Sequence, residues 1–242
     1  MMFMKILKTH PRNNLARSQT RSLYFCLLLL TVLILPSCVS KTASRDALWN
    51  TISTCIDMHA PGYCDICQFP RIESPCARGR DCGNTTEIWE ETEEFVAMRD
   101  RKMCGCGADF LHGLIVPLSR VTGVEDPKRP DNIWGFAWTV AKKRIAKEDD
   151  IALAVNPPGI RSQDQLHIHI VRLCDNARKD FDDRRSERIE ALDNVWKASA
   201  RRALQAGLKE YGIIVVRHSE GGFLLVVDEK NTEKAYTLWN CR

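Results

Sequence analysis

Apolar residues recur along the chain at two different spacings, which predict both helices and strands. A helical spacing covers 47–58 and 133–145, and the highly charged stretch 180–209 is expected to form one long helix or a pair of helices. Short apolar runs predict strands at 95–98, 110–117, 151–155, 166–171, 212–217 and 223–228. Glu220-Gly221-Gly222 separates the last two runs and indicates a hairpin. The pattern therefore predicts an α+β fold with a mainly antiparallel sheet and packed helices.

The first forty residues have the pattern of an export segment. Residues 23–35 are almost entirely apolar, but at about 1.5 Å per residue they reach only roughly 20 Å, short of the ~30 Å core of a bilayer. The basic residues before this run favour its cytoplasmic side and export of the rest. Cys38 ends a Leu-Pro-Ser-Cys sequence that resembles a bacterial lipobox. We expect residues 1–40 to be a signal peptide, an uncleaved membrane anchor or a lipoprotein anchor, and residues 45–242 to form a single domain.

The distribution of charge argues against one class of function. The whole chain has a formal net charge of +4, but five of its 35 basic residues lie within 1–38, where there is no acidic residue. The remainder carries 30 Lys and Arg against 31 Asp and Glu. A nearly neutral body lacks the excess of basic charge that a general nucleic-acid binder needs, so we expect no nucleic-acid partner.

Nine of the eleven cysteines follow Cys38, and an oxidising compartment explains such a number as disulfides. An odd count leaves at least one thiol free or paired between chains. We expect Cys55 to pair with Cys76, and Cys174 with Cys241. The alternative is a zinc site made by four thiolates, namely Cys64, Cys67, Cys104 and Cys106. Residues 60–92, rich in Cys, Gly and Pro, are expected to form a disulfide-held insertion or loop.

The segment 163–171 reads QDQLHIHIV and carries the candidate chemistry. Alternation along a strand places Gln165, His167 and His169 on one face, with the two imidazoles about 6.5–7 Å apart, and the apolar residues between them on the other face. Polar rings held on a rigid strand need partners or a ligand.

Three interpretations of the histidine pair remain open. The pair can be a coincidence of two satisfied histidines. It can be a metal site, which needs a third ligand from His59, His112, His218 or a distant acidic residue. The third interpretation, which we favour, is nucleophilic catalysis at phosphorus, because imidazole is neutral near pH 7, attacks through one nitrogen and is oriented through the other.

The run SQDQLHIHI resembles the active-site strand of the histidine-triad superfamily. Further segments in the same order resemble one group within it, the CDP-diacylglycerol pyrophosphatase family of membrane-anchored bacterial hydrolases. The resemblance covers most of residues 47–242. These segments are Leu114–Pro117 with Arg120, Gly123 and Glu125–Pro127, then Asn132–Trp134 with Ala137 and Trp138, Ala152–Asn156, Tyr211–Gly212, Val216–Arg217 and Phe223–Leu225.

The resemblance implies a histidine-triad-like fold and a reaction that splits CDP-diacylglycerol into CMP and phosphatidate at a bacterial inner membrane, with the domain on the periplasmic side. Aligning Gln165 with the first triad position makes His167 the nucleophile and His169 the third member. The other register makes His169 the nucleophile and places Val171 third. Gln163 would fall on the amide that precedes the triad, and no metal or cofactor is expected.

The same resemblance implies roles for further residues in holding the substrate. His169 and Gln165 would hold phosphate oxygens, Asn156 would contact ribose or phosphate, and Arg120 would pair with the diphosphate, although Asn156 and Arg120 can equally be structural. Two other functions stay open: a hydrolase of a soluble nucleotide in the same superfamily, and a non-catalytic, disulfide-rich exported lipoprotein.

Overall fold

The computed structural model describes residues 44–79 and 81–241 of the chain. The chain divides into two units, residues 1–42 and residues 43–242, and the described residues all lie in the second unit. The predicted N-terminal anchor or signal segment, residues 1–40, lies outside the described residues. Among the helices that the structure describes, none has the length and apolar character needed to cross a membrane.

Within the described residues, eight strands pair antiparallel in one sheet: β1 (Ile88–Glu91), β2 (Phe95–Arg99), β3 (His112–Pro117), β4 (Ile151–Val155), β5 (Ile168–Arg172), β6 (Ser186–Ile189), β7 (Gly212–Arg217) and β8 (Phe223–Asp228). Their order across the sheet is β1-β2-β3-β5-β4-β7-β8-β6. This confirms the predicted α+β class with an antiparallel sheet. The hairpin of the last two runs is confirmed, with Gly221 and Gly222 both at positive φ in its turn.

Five α-helices accompany the sheet within the described residues. They are α1 (Ala47–Cys55), α2 (Tyr63–Ile66), α3 (Ile133–Arg144), α4 (Val195–Gln205) and α5 (Thr232–Tyr236). The prediction of helix throughout 180–209 is wrong, because the stretch contains strand β6 before α4 begins. Within the described residues β6 lies at the edge of the sheet and pairs with β8 alone, so three of its four residues remain at least partly exposed. Its polar composition therefore resembles that of a charged surface helix.

The two faces of the sheet are covered differently. Helices α3 and α4 pack on one face through the main core, in which Trp134 lies against Trp196. On the other face, Leu48 and Ile52 of α1 cover β2 and β3, while Tyr236 of α5 covers the region of β4, β7 and β8. Polar side chains of β3 and β5 lie on this second face, beside both covering groups, and the candidate site is built there.

Four disulfides are present in the described part of the chain: Cys55–Cys67, Cys64–Cys76, Cys82–Cys104 and Cys106–Cys241. The expected pairs Cys55–Cys76 and Cys174–Cys241 are therefore wrong, and Cys174 is a free thiol among the cysteines that the structure describes. The zinc alternative is also wrong, because each of its four thiolates is engaged in a disulfide. Cysteine spacing does not reveal these partners, since pairing follows spatial proximity after folding.

Candidate active site

A cavity of about 430 Å³ lies on the second face of the sheet and is lined by residues of α1, β2, β3 and α5. His167 and His169 both contribute to its wall, as do Asn156 and Gln163. The two imidazole rings are perpendicular, with their centroids 4.8 Å apart. The pair predicted from the alternation is thus brought together beside a cavity. Strand β5 begins only at Ile168, so His167 lies just before the regular strand.

The tautomer of His167 follows from one hydrogen bond. Its Nδ1 lies 2.7 Å from the backbone carbonyl oxygen of Gln165. A carbonyl oxygen can only accept, so Nδ1 carries the proton and donates it. The other nitrogen, Nε2, is then unprotonated in the neutral ring, and its lone pair is available for attack.

His169 belongs to a chain of hydrogen bonds that the alternation alone does not predict. His112 Nδ1 lies 3.1 Å from the carbonyl oxygen of Trp239 and therefore donates to it. In the neutral pair, His112 Nε2 accepts from His169 Nδ1 at 2.9 Å. His169 Nε2 then faces Asn156 Nδ2 at 3.4 Å as an acceptor. The buried chain fixes the orientation of the His169 ring and leaves its unprotonated Nε2 facing Asn156.

A buried carboxylate lies beside this chain. Glu233 is 3% exposed, accepts a hydrogen bond from Asn156 Nδ2 at 2.9 Å and approaches His169 Nε2 at 3.4 Å. The ammonium of Lys102 forms an ion pair with the same carboxylate. Because an unpaired buried charge is costly, the lysine and the amide together offset the cost of burying this carboxylate.

Burial shifts the proton affinity of all three imidazoles in the same direction. Removal from water lowers the pKa of His112 and of His167, and it lowers the pKa of His169 furthest, with the neighbouring His167, His112 and Lys102 adding to the effect. A histidine whose pKa lies below its ordinary value is neutral near pH 7. The free nitrogen of His167 is therefore unprotonated at neutral pH.

Asp100, His112 and His169 also meet the minimal requirement for a metal ion, since their ligand atoms lie within 4.8 Å of one another. His112 is one of the third ligands considered in the sequence. The two imidazole nitrogens, however, are 2.9 Å apart and share a hydrogen bond, whereas nitrogens bound to one zinc ion lie roughly 3.3 Å apart. An ion would have to break the hydrogen bond that orients His169.

The other residues predicted for the site differ in whether they line the cavity. Gln163 lines the cavity, and its carbonyl accepts from the backbone N–H of Leu48 at 2.8 Å, which ties α1 to the site. Gln165 is fully buried and donates to the carbonyls of Pro117 and Ser119, so it does not line the cavity. Asn156 lies at the end of β4, in contact with His169, as described above.

Arg120 lies away from the cavity, paired with Asp46 and above the ring of Trp49. The cation whose charge acts on all three histidines is instead Lys102, and the acid in contact with His112 and His169 is Glu233; the sequence pattern singles out neither. Both become recognisable only in space, because Glu233 lies 131 residues after Lys102.

The fold and the site together define an α+β protein with a pair of neutral imidazoles at a polar cavity on one face of an antiparallel sheet. Residues 43–220 match the model of the family described as CDP-diacylglycerol pyrophosphatase. The match covers most of the chain, and the protein belongs to this family.

Curated relatives carry the same name. A probable CDP-diacylglycerol pyrophosphatase of Mycobacterium leprae is 43% identical over 142 residues, which are 54% of this chain and 44% of the relative. A CDP-diacylglycerol pyrophosphatase of Yersinia pestis is 30% identical over 159 residues, 61% of this chain and 53% of the relative. One from Mycobacterium bovis is 39% identical over 67 residues, 24% of this chain and 26% of the relative. The chain thus spans about half the length, or less, of the curated relatives it matches.

Proposed function

We propose that this protein hydrolyses the diphosphate bond of CDP-diacylglycerol to give CMP and phosphatidate, with His167 as the nucleophile. One observation carries the mechanism: the carbonyl of Gln165 holds the proton of His167 on Nδ1, and Nε2 is left with its lone pair in a ring that lines the cavity. Family membership and the names of the relatives support the substrate.

The first step is attack of His167 Nε2 on the phosphorus that bears cytidine. A nitrogen–phosphorus bond forms, the bond from that phosphorus to the bridging oxygen breaks, and phosphatidate leaves with the electron pair. Phosphatidate is a stable phosphate monoester and needs no proton to depart. The product on the enzyme is a cytidylyl-histidine.

The second step is attack of water on the same phosphorus. The nitrogen–phosphorus bond breaks, which returns the lone pair to His167, and CMP is released. His169 Nε2 releases its long 3.4 Å contact with Asn156 and accepts the proton of the attacking water, since His112 holds the proton of this ring on Nδ1. Asn156 orients His169 Nε2 and donates its second N–H to Glu233, so the amide positions both groups.

We further propose that the domain works at a membrane surface, anchored by the apolar run at 23–35. Exposing acyl chains to water costs about 0.8 kcal/mol per CH₂ group, so a tethered enzyme that leaves the chains in the bilayer avoids this penalty. Apolar side chains that pack together on the cavity wall, Leu48, Met98 and Leu114, suit the glycerol end of such a substrate.

The test is hydrolysis of CDP-diacylglycerol in mixed detergent micelles by the full chain. We expect His167→Ala to abolish turnover and His218→Ala, a change in the β7–β8 turn, to leave it unaltered. With labelled water, the heavy oxygen is expected in CMP rather than in phosphatidate. A cytidylylated peptide containing His167 should accumulate in His169→Asn when the reaction is stopped with an alkaline denaturant, because the nitrogen–phosphorus bond is stable to base and labile in acid.

Normal turnover by His167→Ala, or label in phosphatidate, would refute the assignment of the nucleophile. Activity that is lost with EDTA and restored by zinc would contradict the reaction as written and favour an ion at Asp100, His112 and His169. Faster hydrolysis of CDP-choline or ADP-sugars than of CDP-diacylglycerol would instead indicate a hydrolase of soluble nucleotides.

A further inference from the structure

Two ammonium groups meet at a single aromatic ring on the wall of the cavity. Lys234 Nζ lies 4.8 Å and Lys102 Nζ 5.6 Å from the centroid of the Trp239 ring. All three side chains line the same cavity as His167 and His169. Two cations at one ring, beside a nucleophile, form a local concentration of positive charge that an anionic ligand can use.

The position of Lys102 is held from several sides. It belongs to a single 3₁₀ turn, Arg101–Met103, and its backbone N–H donates to Asp100 Oδ1 at 2.8 Å. The disulfide Cys82–Cys104 anchors the residue two positions later, and Cys106–Cys241 joins the same loop to the segment that carries Trp239. A cross-linked loop therefore holds the ammonium of Lys102 at the wall of the cavity.

The arginines beside the cavity are already engaged. Arg99 contacts Glu87 at 3.3 Å and the carbonyl of Cys82 at 3.3 Å. The guanidinium of Arg101 is stacked 3.5 Å above the ring of Phe69. Within residues 44–79 and 81–241, by contrast, no carboxylate pairs with the ammonium of Lys234, and the side chain of Lys102 is 35% exposed although it pairs with Glu233.

We propose that Lys102 and Lys234 form the subsite that binds the diphosphate group of the substrate, in the place that the sequence assigned to Arg120. This inference rests on the proposed function, because it names the part of the enzyme that holds the bond to be cut. A diphosphate diester carries two negative charges: the ammonium of Lys234 offsets one of them, and the ammonium of Lys102, which also pairs with Glu233, donates further charge-assisted hydrogen bonds. Lys102 and Lys234 line the same cavity as His167, the proposed nucleophile, and the charge of Lys102 contributes to lowering the pKa of all three imidazoles.

The test is equilibrium binding of CDP to the full chain in detergent, measured by isothermal titration calorimetry. Lys102→Gln should weaken CDP binding at least about tenfold, as expected for loss of a charge-assisted hydrogen bond, and Lys234→Gln should weaken it by a smaller factor. The matched control is Lys143→Gln, which removes an exposed lysine paired with Glu90 and should leave the affinity unchanged. Inorganic pyrophosphate should compete with CDP, and cytidine should bind both lysine variants as it binds the parent.

Two further variants distinguish the loss of the contact between Lys102 and CDP from repulsion of CDP by the unpaired carboxylate of Glu233. Lys102→Gln leaves the buried carboxylate of Glu233 without its cation, and this carboxylate could repel CDP by itself. In the double variant Lys102→Gln/Glu233→Gln that charge is absent, and the weakened binding should persist. Recovery of the parent affinity in the double variant would overturn the proposal. Lys102→Arg, which retains the charge, should keep most of the affinity.

Failure of this subsite and failure of the proposed function give different results, because binding of CDP requires no bond cleavage. Affinity for CDP that depends on Lys102, in a protein that does not hydrolyse CDP-diacylglycerol, would retain the subsite and refute the reaction. Hydrolysis that depends on His167, with equal CDP affinity in the parent and both lysine variants, would refute the subsite. Absence of CDP binding by the parent protein would refute it as well.

Discussion

Removal of the Cys106–Cys241 disulfide is expected to affect both stability and the site. The bond joins residues 135 positions apart and connects the loop that carries Lys102 to the segment that carries Trp239. The carbonyl of Trp239 accepts the hydrogen bond that sets the tautomer of His112. The double variant Cys106→Ala/Cys241→Ala removes the cross-link without leaving a reactive thiol from either residue.

The magnitude follows from the length of the loop that the bond closes. In the chain-entropy model, a loop of this size restricts the unfolded chain by about 5 kcal/mol, and measured effects of disulfides are commonly about 2–4 kcal/mol. For a domain of about 200 residues, each kcal/mol corresponds to about 2–4 °C in Tm. We therefore expect the double variant to lose roughly 5–15 °C in Tm.

The assay is thermal unfolding followed by circular dichroism, together with kcat/KM for CDP-diacylglycerol below the transition. The matched control is Cys174→Ala, which removes the free thiol and should change the free energy of unfolding by less than about 1 kcal/mol. If Cys174→Ala destabilises the protein as much as the double variant does, Cys174 rather than Cys106 is the partner of Cys241. The reasoning about the cross-linked wall of the cavity would then be refuted.

Four other predictions concern the site and its support. His112→Leu leaves the carbonyl of Trp239 and His169 Nδ1 without their hydrogen-bond partner, so urea unfolding should show a loss of about 1–3 kcal/mol for each group, together with a fall in kcat/KM. An unchanged kcat/KM would exclude a role of His112 in positioning His169. The pKa values of His112, His167 and His169 are lowered by burial, so below pH about 6.5 the unfolded chain binds more protons than the folded protein does. The free energy of unfolding should therefore be highest above that pH and decline on acidification. A free energy of unfolding that stays constant between pH 7.5 and 5.5 would contradict this. Arg120→Gln should leave KM within about twofold in the micelle assay, because its guanidinium pairs with a surface carboxylate, and a large rise in KM would restore it to the diphosphate site. Gly113→Ala would drive a Cβ into the ring of Trp89, so urea unfolding should show a loss of about 1–3 kcal/mol, and no loss would mean that the ring moves freely.

The local pattern of apolar and polar residues suffices to predict those features whose residues are neighbours both in sequence and in space. The boundaries of β4, β7 and β8 agree with the apolar runs, because each run is flanked by turn residues and buried in the sheet. His167 and His169 were found for the same reason, since they lie two residues apart at one strand. The charged stretch that contains β6 was misassigned because an edge strand exposes polar residues as a surface helix does.

The sequence by itself determined the α+β class, the hairpin and the imidazole pair, all of which depend on spacings of a few residues. The tertiary structure decided which groups surround that pair: His112 lies 57 residues before His169, and Glu233 lies 77 residues after Asn156. It also decided the partners of the cysteines and turned Gln165 towards the backbone carbonyls of Pro117 and Ser119. Hydrogen bonds, ion pairs and disulfides form between groups that meet in space, and separation along the chain carries no information about which distant groups will meet.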